Sequence, residues 1–305
     1  MRIALSTAAA LAVAGSLSAQ FTTSGSGCSM GLDPSIPSSG IYEILATGAW
    51  DLDGQSITFN AAGGDYVATA GGSYIAPTAG AIDLTNPAGS SDDFVSGPIM
   101  LPFTFNYVGG AGSTSMIDSS SNGHVYLEAG TIGTSRCCRG ADALVSFQND
   151  TPSVAVLGTD LNPNNGGTWT FEVQGTMPNR VALITWDGVP EFSAVGANTV
   201  QCQLHETTDE IVICHVTTNG ATSTDTALVG VSPGGGDLGT EVDYTTDLPA
   251  VSGLGGPGFF PSLSQSGSLE IGQTFTITAN DLVPSQAGGS SLQFAAGLAA
   301  MPLPL

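Results

Sequence analysis

A five-residue segment, DLNPN, places oxygen-bearing side chains at Asp160, Asn162 and Asn164. Carboxylate and amide oxygens are the ligands that Ca²⁺ prefers, and calcium loops space them at alternate positions. Asn165 stands where an EF-hand requires glycine and Phe171 where it requires a bidentate glutamate, so the segment is not an EF-hand. It is therefore a candidate for a looser calcium site assisted by nearby carboxylates, with a simple polar turn as the alternative.

A second pattern, GVSPG at residues 230–234, matches the G-x-S-x-G sequence around the nucleophile of many esterases. In those enzymes a helix follows the serine and the histidine of the triad comes later in the chain. Here Pro233 and three glycines follow Ser232, and the last histidine, His215, precedes it. We interpret the segment as a turn.

The other residues with catalytic or metal-binding potential are dispersed. His124, His205 and His215 lack the spacing of zinc ligands, and we expect solvent-exposed histidines on hairpins. Asp187 and Glu191 border an apolar strand and are the candidates for a pair of glycosidase carboxylates, with hydrogen bonding in turns as the alternative. No reaction follows from these residues.

The overall charge of the chain excludes several classes of partner. The 305 residues include four arginines, no lysine and 26 acidic residues, for a formal net charge of −22. Such a charge repels phosphate backbones and anionic lipids, so we expect neither a nucleic-acid partner nor an electrostatic contact with a membrane. After residue 19 no stretch approaches the roughly 18 apolar residues needed to span a bilayer, so we also expect no membrane insertion. The negative charge attracts cations, which is compatible with calcium as a cofactor, although solubility alone also explains it.

The composition favours strands over helices. The chain contains 42 glycines and only 10% charged residues, and it lacks long segments of helix-forming residues with apolar positions at helical spacing. Short strands joined by many turns fit this composition. The expected fold class is all-β, with an antiparallel β-sandwich-like main domain and a small C-terminal β module.

The most ordered pattern lies between residues 180 and 216. Val181–Trp186 is apolar on both faces, which predicts a central strand covered on both sides. Thr199–His205 and Glu210–Val216 predict an antiparallel hairpin around a polar turn. In the register we expect, Cys202 lies opposite Cys214, which predicts a cross-strand disulfide; a shift by one residue would separate the two cysteines.

Further strands are predicted on either side of this hairpin. Leu101–Gly110 places Phe103, Phe105 and Tyr107 on one face, as expected of a core strand. Asn122-Gly123 is a strong signal for a tight hairpin turn. Other predicted strands are Ser56–Asn60, Asp65–Ala70, Val154–Leu157, Thr168–Val173 and Ala227–Val231.

The N-terminus predicts export. Residues 1–19 contain one arginine, an apolar run and a small residue before Gln20, which is typical of a secretory signal peptide. Export permits disulfides. Cys137 and Cys138 could pair with each other, or one of them with Cys28, and either arrangement leaves one thiol over after the Cys202–Cys214 pair.

The predicted domain organisation follows from changes in composition. Residues 20–40 form an N-terminal arm, residues 41–251 the main β domain, residues 252–262 a Gly/Pro linker, and residues 263–305 a partial C-terminal β module.

The order of six motifs resembles that of the nidogen-like extracellular domain, in the version found in large secreted proteins of environmental bacteria. They include LPFTFNYVGG, SSNGHVYL, RVALITWDGVPEF and ALVGVSPG, within a segment covering roughly residues 95–250, and the resemblance rests on their order and not on any single motif. The resemblance implies a β-sandwich-like extracellular module associated with adhesion and matrix contact, without established catalytic residues. The tail resembles the start of a small β module that often ends such bacterial proteins.

These observations lead to two hypotheses. The first is a secreted or cell-surface, non-enzymatic β module that binds an extracellular glycan or a matrix or surface protein, assisted by calcium. The alternative is a secreted hydrolase of polysaccharides whose carboxylates the sequence does not identify.

Overall fold

The computed structural model describes residues 39–62, 65–107, 112–130, 136, 140–193, 196–252, 262–266 and 276–280. All of these residues belong to one compact unit of the chain. The predicted signal peptide, most of the N-terminal arm and of the C-terminal module, and the cysteines Cys28, Cys137 and Cys138 lie outside the described residues.

Seven strands form the first sheet. In chain order they are β1 (Ile41–Leu45), β5 (Ile99–Tyr107), β6 (Gly112–Ser120), β7 (His124–Tyr126), β8 (Ser153–Gly158), β13 (Ala227–Ser232) and β14 (Thr240–Glu241). Their spatial order is β14-β1-β13-β8-β7-β6-β5. All neighbours are antiparallel except β1 and β14, which are parallel.

Eight strands form the second sheet. They are β2 (Ser56–Ala62), β3 (Asp65–Ala70), β4 (Ile82–Asp83), β9 (Thr168–Gln174), β10 (Val181–Val189), β11 (Asn198–His205), β12 (Ile211–Thr218) and β15 (Ala250–Val251), in the spatial order β15-β3-β2-β12-β11-β10-β9-β4. A further hairpin pairs β16 (Ser262–Ser266) with β17 (Thr276–Asn280).

The two sheets bury one shared hydrophobic core between them. It combines residues of the first sheet, such as Phe105 and Val156, with Phe59, Ile184 and Trp186 of the second sheet. The expected all-β, antiparallel sandwich-like fold is confirmed. Burial of this apolar surface is the main favourable contribution to folding.

Two strands show how the sequence produces this packing. Burial alternates strictly along β5, and Phe103, Phe105 and Tyr107 point inward as predicted. β10 is interior to its sheet and buried on both faces, which confirms the predicted central strand. Its outer side is covered by an extended segment around Ile75, whose amide and carbonyl both bond the side chain of Gln201 on the neighbouring strand.

One element was not expected from the sequence. A helix, α1 (Gly140–Asn149), packs on the outer face of the first sheet, where Phe147 contacts Tyr42, Ala155 and Leu228. Ala143 and Phe147, four residues apart, lie on its buried face. The helix has only ten residues, and two buried apolar positions, Ala143 and Phe147, are too few to give a recognisable helical pattern in the sequence.

The predicted register of the β11–β12 hairpin, and with it the Cys202–Cys214 disulfide, is wrong by one residue. Cys202 lies opposite Ile213 and Cys214 opposite Gln201, so the two thiols point to opposite faces of the sheet. Both cysteines are buried and free. The reason is the turn: four residues separate the bonded pair His205 and Glu210, whereas the predicted register pairs His205 with Ile211 and leaves five residues between them.

The expectation of exposed histidines is also wrong. His124 and His215 are fully buried, and His205 is partly buried on the outer face of the second sheet beside Gln203. His215 points inward from β12 and bonds the carbonyl of Val156 on β8 at 2.7 Å. It therefore links the two sheets across the core.

The turn between β6 and β7 depends on Gly123, which adopts a φ of 75°. A Cβ at this position would lie 2.0 Å from the Leu157 carbonyl oxygen.

Gly48 has a φ of 76°, but a Cβ there would meet no atom within 4 Å. We expect Gly48→Ala to cost about 1–2 kcal/mol of stability, the cost of the left-handed conformation. Gly123→Ala should cost about 1–3 kcal/mol more because the backbone must move. Urea unfolding tests this, and equal costs would contradict it.

Acidification should destabilise the fold through His215. Burial is the main cause that lowers the pKa of His215 to about 4 from 6.5, against the opposing bond to Val156. The unfolded state therefore takes up a proton first as the pH falls below 6.5, and stability is lost towards pH 4. Between pH 7.5 and 4.5 the loss from this residue is on the order of 2 kcal/mol. His215→Gln should lose correspondingly less over the same interval in urea unfolding; an identical loss in both proteins would exclude this origin.

Candidate functional site

An acidic cluster lies at one end of the sandwich, where loops from both sheets meet. Asp92 and Asp93 precede β5, and Asp160 follows β8. Each contributes a carboxylate oxygen, and these oxygens all lie within 4.8 Å of one another. Glu191, which follows β10, and Asp225, which precedes β13, add to the negative charge around Asp160.

Burial and repulsion between like charges both disfavour the ionised form of the carboxylates in this cluster. Burial, followed by the charges of Asp93 and Asp92, raises the pKa of Asp160 to about 6. Burial and the charge of Asp93 also raise the pKa of Asp92. A like charge within a few ångströms disfavours ionisation, so these groups are held together against their own interaction.

Two buried oxygens near the cluster accept no hydrogen bond from the described residues. One is Oδ1 of Asp92, within the cluster itself, and the other is Oε1 of Glu191, although the Thr222 amide lies near enough to the Glu191 carboxylate to oppose the rise of its pKa. Glu191 is fully buried, and its second oxygen accepts bonds from the amide and hydroxyl of Thr224 at 2.9 and 2.8 Å. Buried polar atoms in native proteins nearly always have a partner, so these two oxygens require an explanation.

Asn122 connects the two loops that carry the cluster. It is fully buried in the β6–β7 turn, where its Nδ2 donates to Asp93 Oδ1 at 2.9 Å and its Oδ1 accepts from the Leu161 amide at 3.0 Å. One side chain thus fixes the position of Asp93 relative to the backbone that follows Asp160.

Residues of the hydrophobic core hold the β6–β7 turn and the loop of Asp92 and Asp93 in place. Trp186 donates from its indole nitrogen to the Ser121 carbonyl at 3.1 Å and stacks with Trp169 at a centroid distance of 6.2 Å. Ser121 in turn exchanges two bonds with Phe94: its hydroxyl accepts from the Phe94 amide, and its own amide donates to the Phe94 carbonyl. The loop that carries Asp92 and Asp93 is therefore fixed to the β6–β7 turn and to the core.

The three predicted calcium ligands have separate roles in the structure. Asp160 lies in the acidic cluster. Asn162 caps a 3₁₀ turn, Pro163–Asn165, where its Oδ1 accepts from the Asn164 amide at 2.9 Å. Asn164 bonds the preceding loop instead, accepting from the Ser91 amide and donating to the Ser90 hydroxyl. Of the three, Asp160 belongs to the group of carboxylates whose oxygens meet.

The sequence did not identify Asp92, Asp93 or Asn122 as parts of a site. The sequence feature that could have indicated a site is the pair of consecutive acids, Asp92 and Asp93, before a core strand. Nothing in the spacing of the chain relates them to Asp160, because the two loops meet only when the strands of the first sheet pair around the β6–β7 turn.

The candidates for catalysis take part in hydrogen bonds of turns and strands or are buried. Ser232 ends β13, and its hydroxyl accepts from the Gly234 amide at 3.0 Å in a turn, as predicted. Asp187 is exposed and accepts from the Thr199 hydroxyl, whereas Glu191 has no accessible surface for a sugar to contact.

A second acidic group provides a comparison. Glu43, Asp51 and Asp243 also bring oxygens within 4.8 Å of one another, beside a shallow depression of about 260 Å³. The buried member, Glu43, accepts from the Tyr244 amide at 3.0 Å. Burial is the main cause that raises the pKa of Glu43 to about 7.

The role assigned to Asn122 can be measured. Asn122→Ala leaves the buried Leu161 amide without its acceptor and should cost about 1–3 kcal/mol of stability. Asn164→Ala is the matched control, since Asn164 also bonds a neighbouring loop but is exposed to solvent, and should cost less. Urea unfolding of both variants measures these losses of stability. A larger loss of stability for Asn164→Ala than for Asn122→Ala would contradict the role assigned to Asn122.

None of the helical segments in the described parts of the chain has the length and hydrophobicity needed to span a bilayer.

Comparison with known proteins identifies the family. Comparisons with curated proteins and with solved structures found no match. A family model described as NIDO related matches residues 58–255, which is more than half of the chain. The match begins earlier in the chain than the segment of roughly residues 95–250 that contains the six motifs. The sandwich, with the acidic cluster at its loop end, lies largely within this match. The chain belongs to the NIDO-related family.

Proposed function

We propose that this chain is an exported, non-enzymatic binding module that contacts glycans or proteins of a cell surface or extracellular matrix, with calcium at the acidic cluster assisting the contact. Membership of the NIDO-related family supports an extracellular binding role. The secretory pattern of residues 1–19 and the net charge of −22 support export and a cation-dependent mode of contact.

The observation that carries the proposal is an exposed aromatic side chain beside the acidic cluster. Phe192 is 52% exposed, and its amide donates to the Asp160 carbonyl at 2.7 Å. Asn165 bonds the Phe192 carbonyl from the neighbouring loop. Large aromatic side chains are the usual anchors of binding surfaces, and a rigid sandwich with functional loops at one end is a common way to present them.

The proposal predicts a specific loss of binding. Arrays of glycans and matrix proteins, probed with the chain lacking residues 1–19, should identify ligands whose signal falls when calcium is replaced by a chelator. Phe192→Ala should reduce that signal at least tenfold, because it removes the exposed anchor without disturbing the core. Met177→Ala is the matched control: Met177 is 75% exposed, but it lies in the turn before β10, at the other end of the strand.

Retained binding in Met177→Ala together with loss in Phe192→Ala supports the loop end as the contact surface. Equal binding by both variants would contradict that surface, and an array without any ligand would contradict the binding module.

A further inference from the structure

We infer that Asp92, Asp93 and Asp160 bind one divalent cation, with Ca²⁺ as the expected ion, and that Glu191 stabilises it from within the protein. The inference deepens the proposed function and rests on it only for the role of the ion in ligand contact. The ligand set adds two aspartates of a distant loop to Asp160, the acidic member of the predicted Asp160, Asn162 and Asn164 set.

The spacing of the oxygens suits a single ion. Ca²⁺ binds oxygens at about 2.3–2.6 Å, so two oxygens that share one ion lie at most about 5 Å apart. The carboxylate oxygens of the cluster fall within 4.8 Å of one another. Three hard, charged oxygen donors and access to solvent at the rim match the preference of calcium for carboxylates completed by water.

Two independent observations distinguish this cluster from an ordinary group of surface acids. Glu191 is fully buried, and its Oε1 accepts no hydrogen bond of normal geometry from the described residues, although the Thr222 amide lies near the carboxylate. Asp92 Oδ1 is buried and unpartnered within the cluster. Burying a charged oxygen without a partner is costly; a bound cation would be a direct partner for the Asp92 oxygen and would offset the repulsion, and a water molecule on the ion would serve the Glu191 oxygen.

Glu191 is not one of the three residues whose oxygens meet within 4.8 Å. We therefore assign it a place behind the direct ligands, where it contributes negative charge and can accept a hydrogen bond from a water molecule on the ion. Its other oxygen is held by Thr224, which fixes the orientation of the carboxylate. Such supporting groups orient ligands and raise affinity.

The second acidic group serves as an internal contrast. In the group of Glu43, Asp51 and Asp243, the buried carboxylate is bonded by the Tyr244 amide, and Asp243 accepts from Thr245 and Thr246. No member of that group contributes a buried unpartnered oxygen among the described residues. The inference therefore applies to the cluster around Asp160 and not to this group.

Calorimetric titration of the chain lacking residues 1–19 with CaCl₂, alongside thermal unfolding in calcium and in EDTA, tests the site. Wild type should bind one strong equivalent of calcium and show a higher Tm with calcium. Asp160→Asn should weaken binding at least tenfold and abolish the Tm shift, whereas the matched control Asp51→Asn should retain both. In EDTA, Asp160→Asn should be at least as stable as wild type, because it removes one of three repelling charges.

Absence of calcium binding by wild type, unchanged affinity in Asp160→Asn, or an equal loss in Asp51→Asn would each overturn the inference. If Asp160→Asn does not fold, Asp92→Asn is measured in its place with the same expected results. Failure here is separable from failure of the proposed function: array binding that is unaffected by chelator leaves the binding module intact, and calcium binding without any array ligand leaves the ion site intact.

Discussion

Repulsion among carboxylates is the constraint around which the loop end of this protein is built. Asp92, Asp93 and Asp160 come from loops that are 67 or more residues apart in the chain, and the fold brings their oxygens within 4.8 Å of one another. Like charges at such distances oppose folding, so the surrounding structure must supply the stability that holds them. A site of this kind is stabilised further when a cation binds, because binding to the folded state alone adds to stability.

The stability that holds the loops comes from the core and from buried polar side chains. Trp186 belongs to the second sheet, yet its indole bonds the turn of the first sheet that contains Ser121 and Asn122. Those two residues then fix the backbone around Phe94 and Leu161. The contact between the sheets and the position of the carboxylates therefore depend on the same few residues, which connects the packing of the sandwich to the geometry of the site.

Much of the fold could be predicted from the sequence because strand patterns are local. The alternation in β5 and the apolar run in β10 were sufficient to place both strands in the core. The register of β11 and β12 was not predictable from their apolar residues, since either register buries an apolar face, and the number of residues in the turn decides between them. The helix α1 was missed because its two buried positions lie in a short segment that follows a glycine- and arginine-containing loop.

The candidate site was predicted only through Asp160. Asn162 and Asn164 have the right chemistry for calcium, but the local 3₁₀ turn and the neighbouring loop use their oxygens. Asp92 and Asp93 are distant from Asp160 in sequence and become adjacent only when the strands of the first sheet pair around the β6–β7 turn. The most direct measurement is a crystal structure of the calcium-bound chain with anomalous scattering data. We predict one peak about 2.3–2.6 Å from oxygens of Asp92, Asp93 and Asp160; calcium bound only at Glu43, Asp51 and Asp243, or no peak at saturating calcium, would contradict the account.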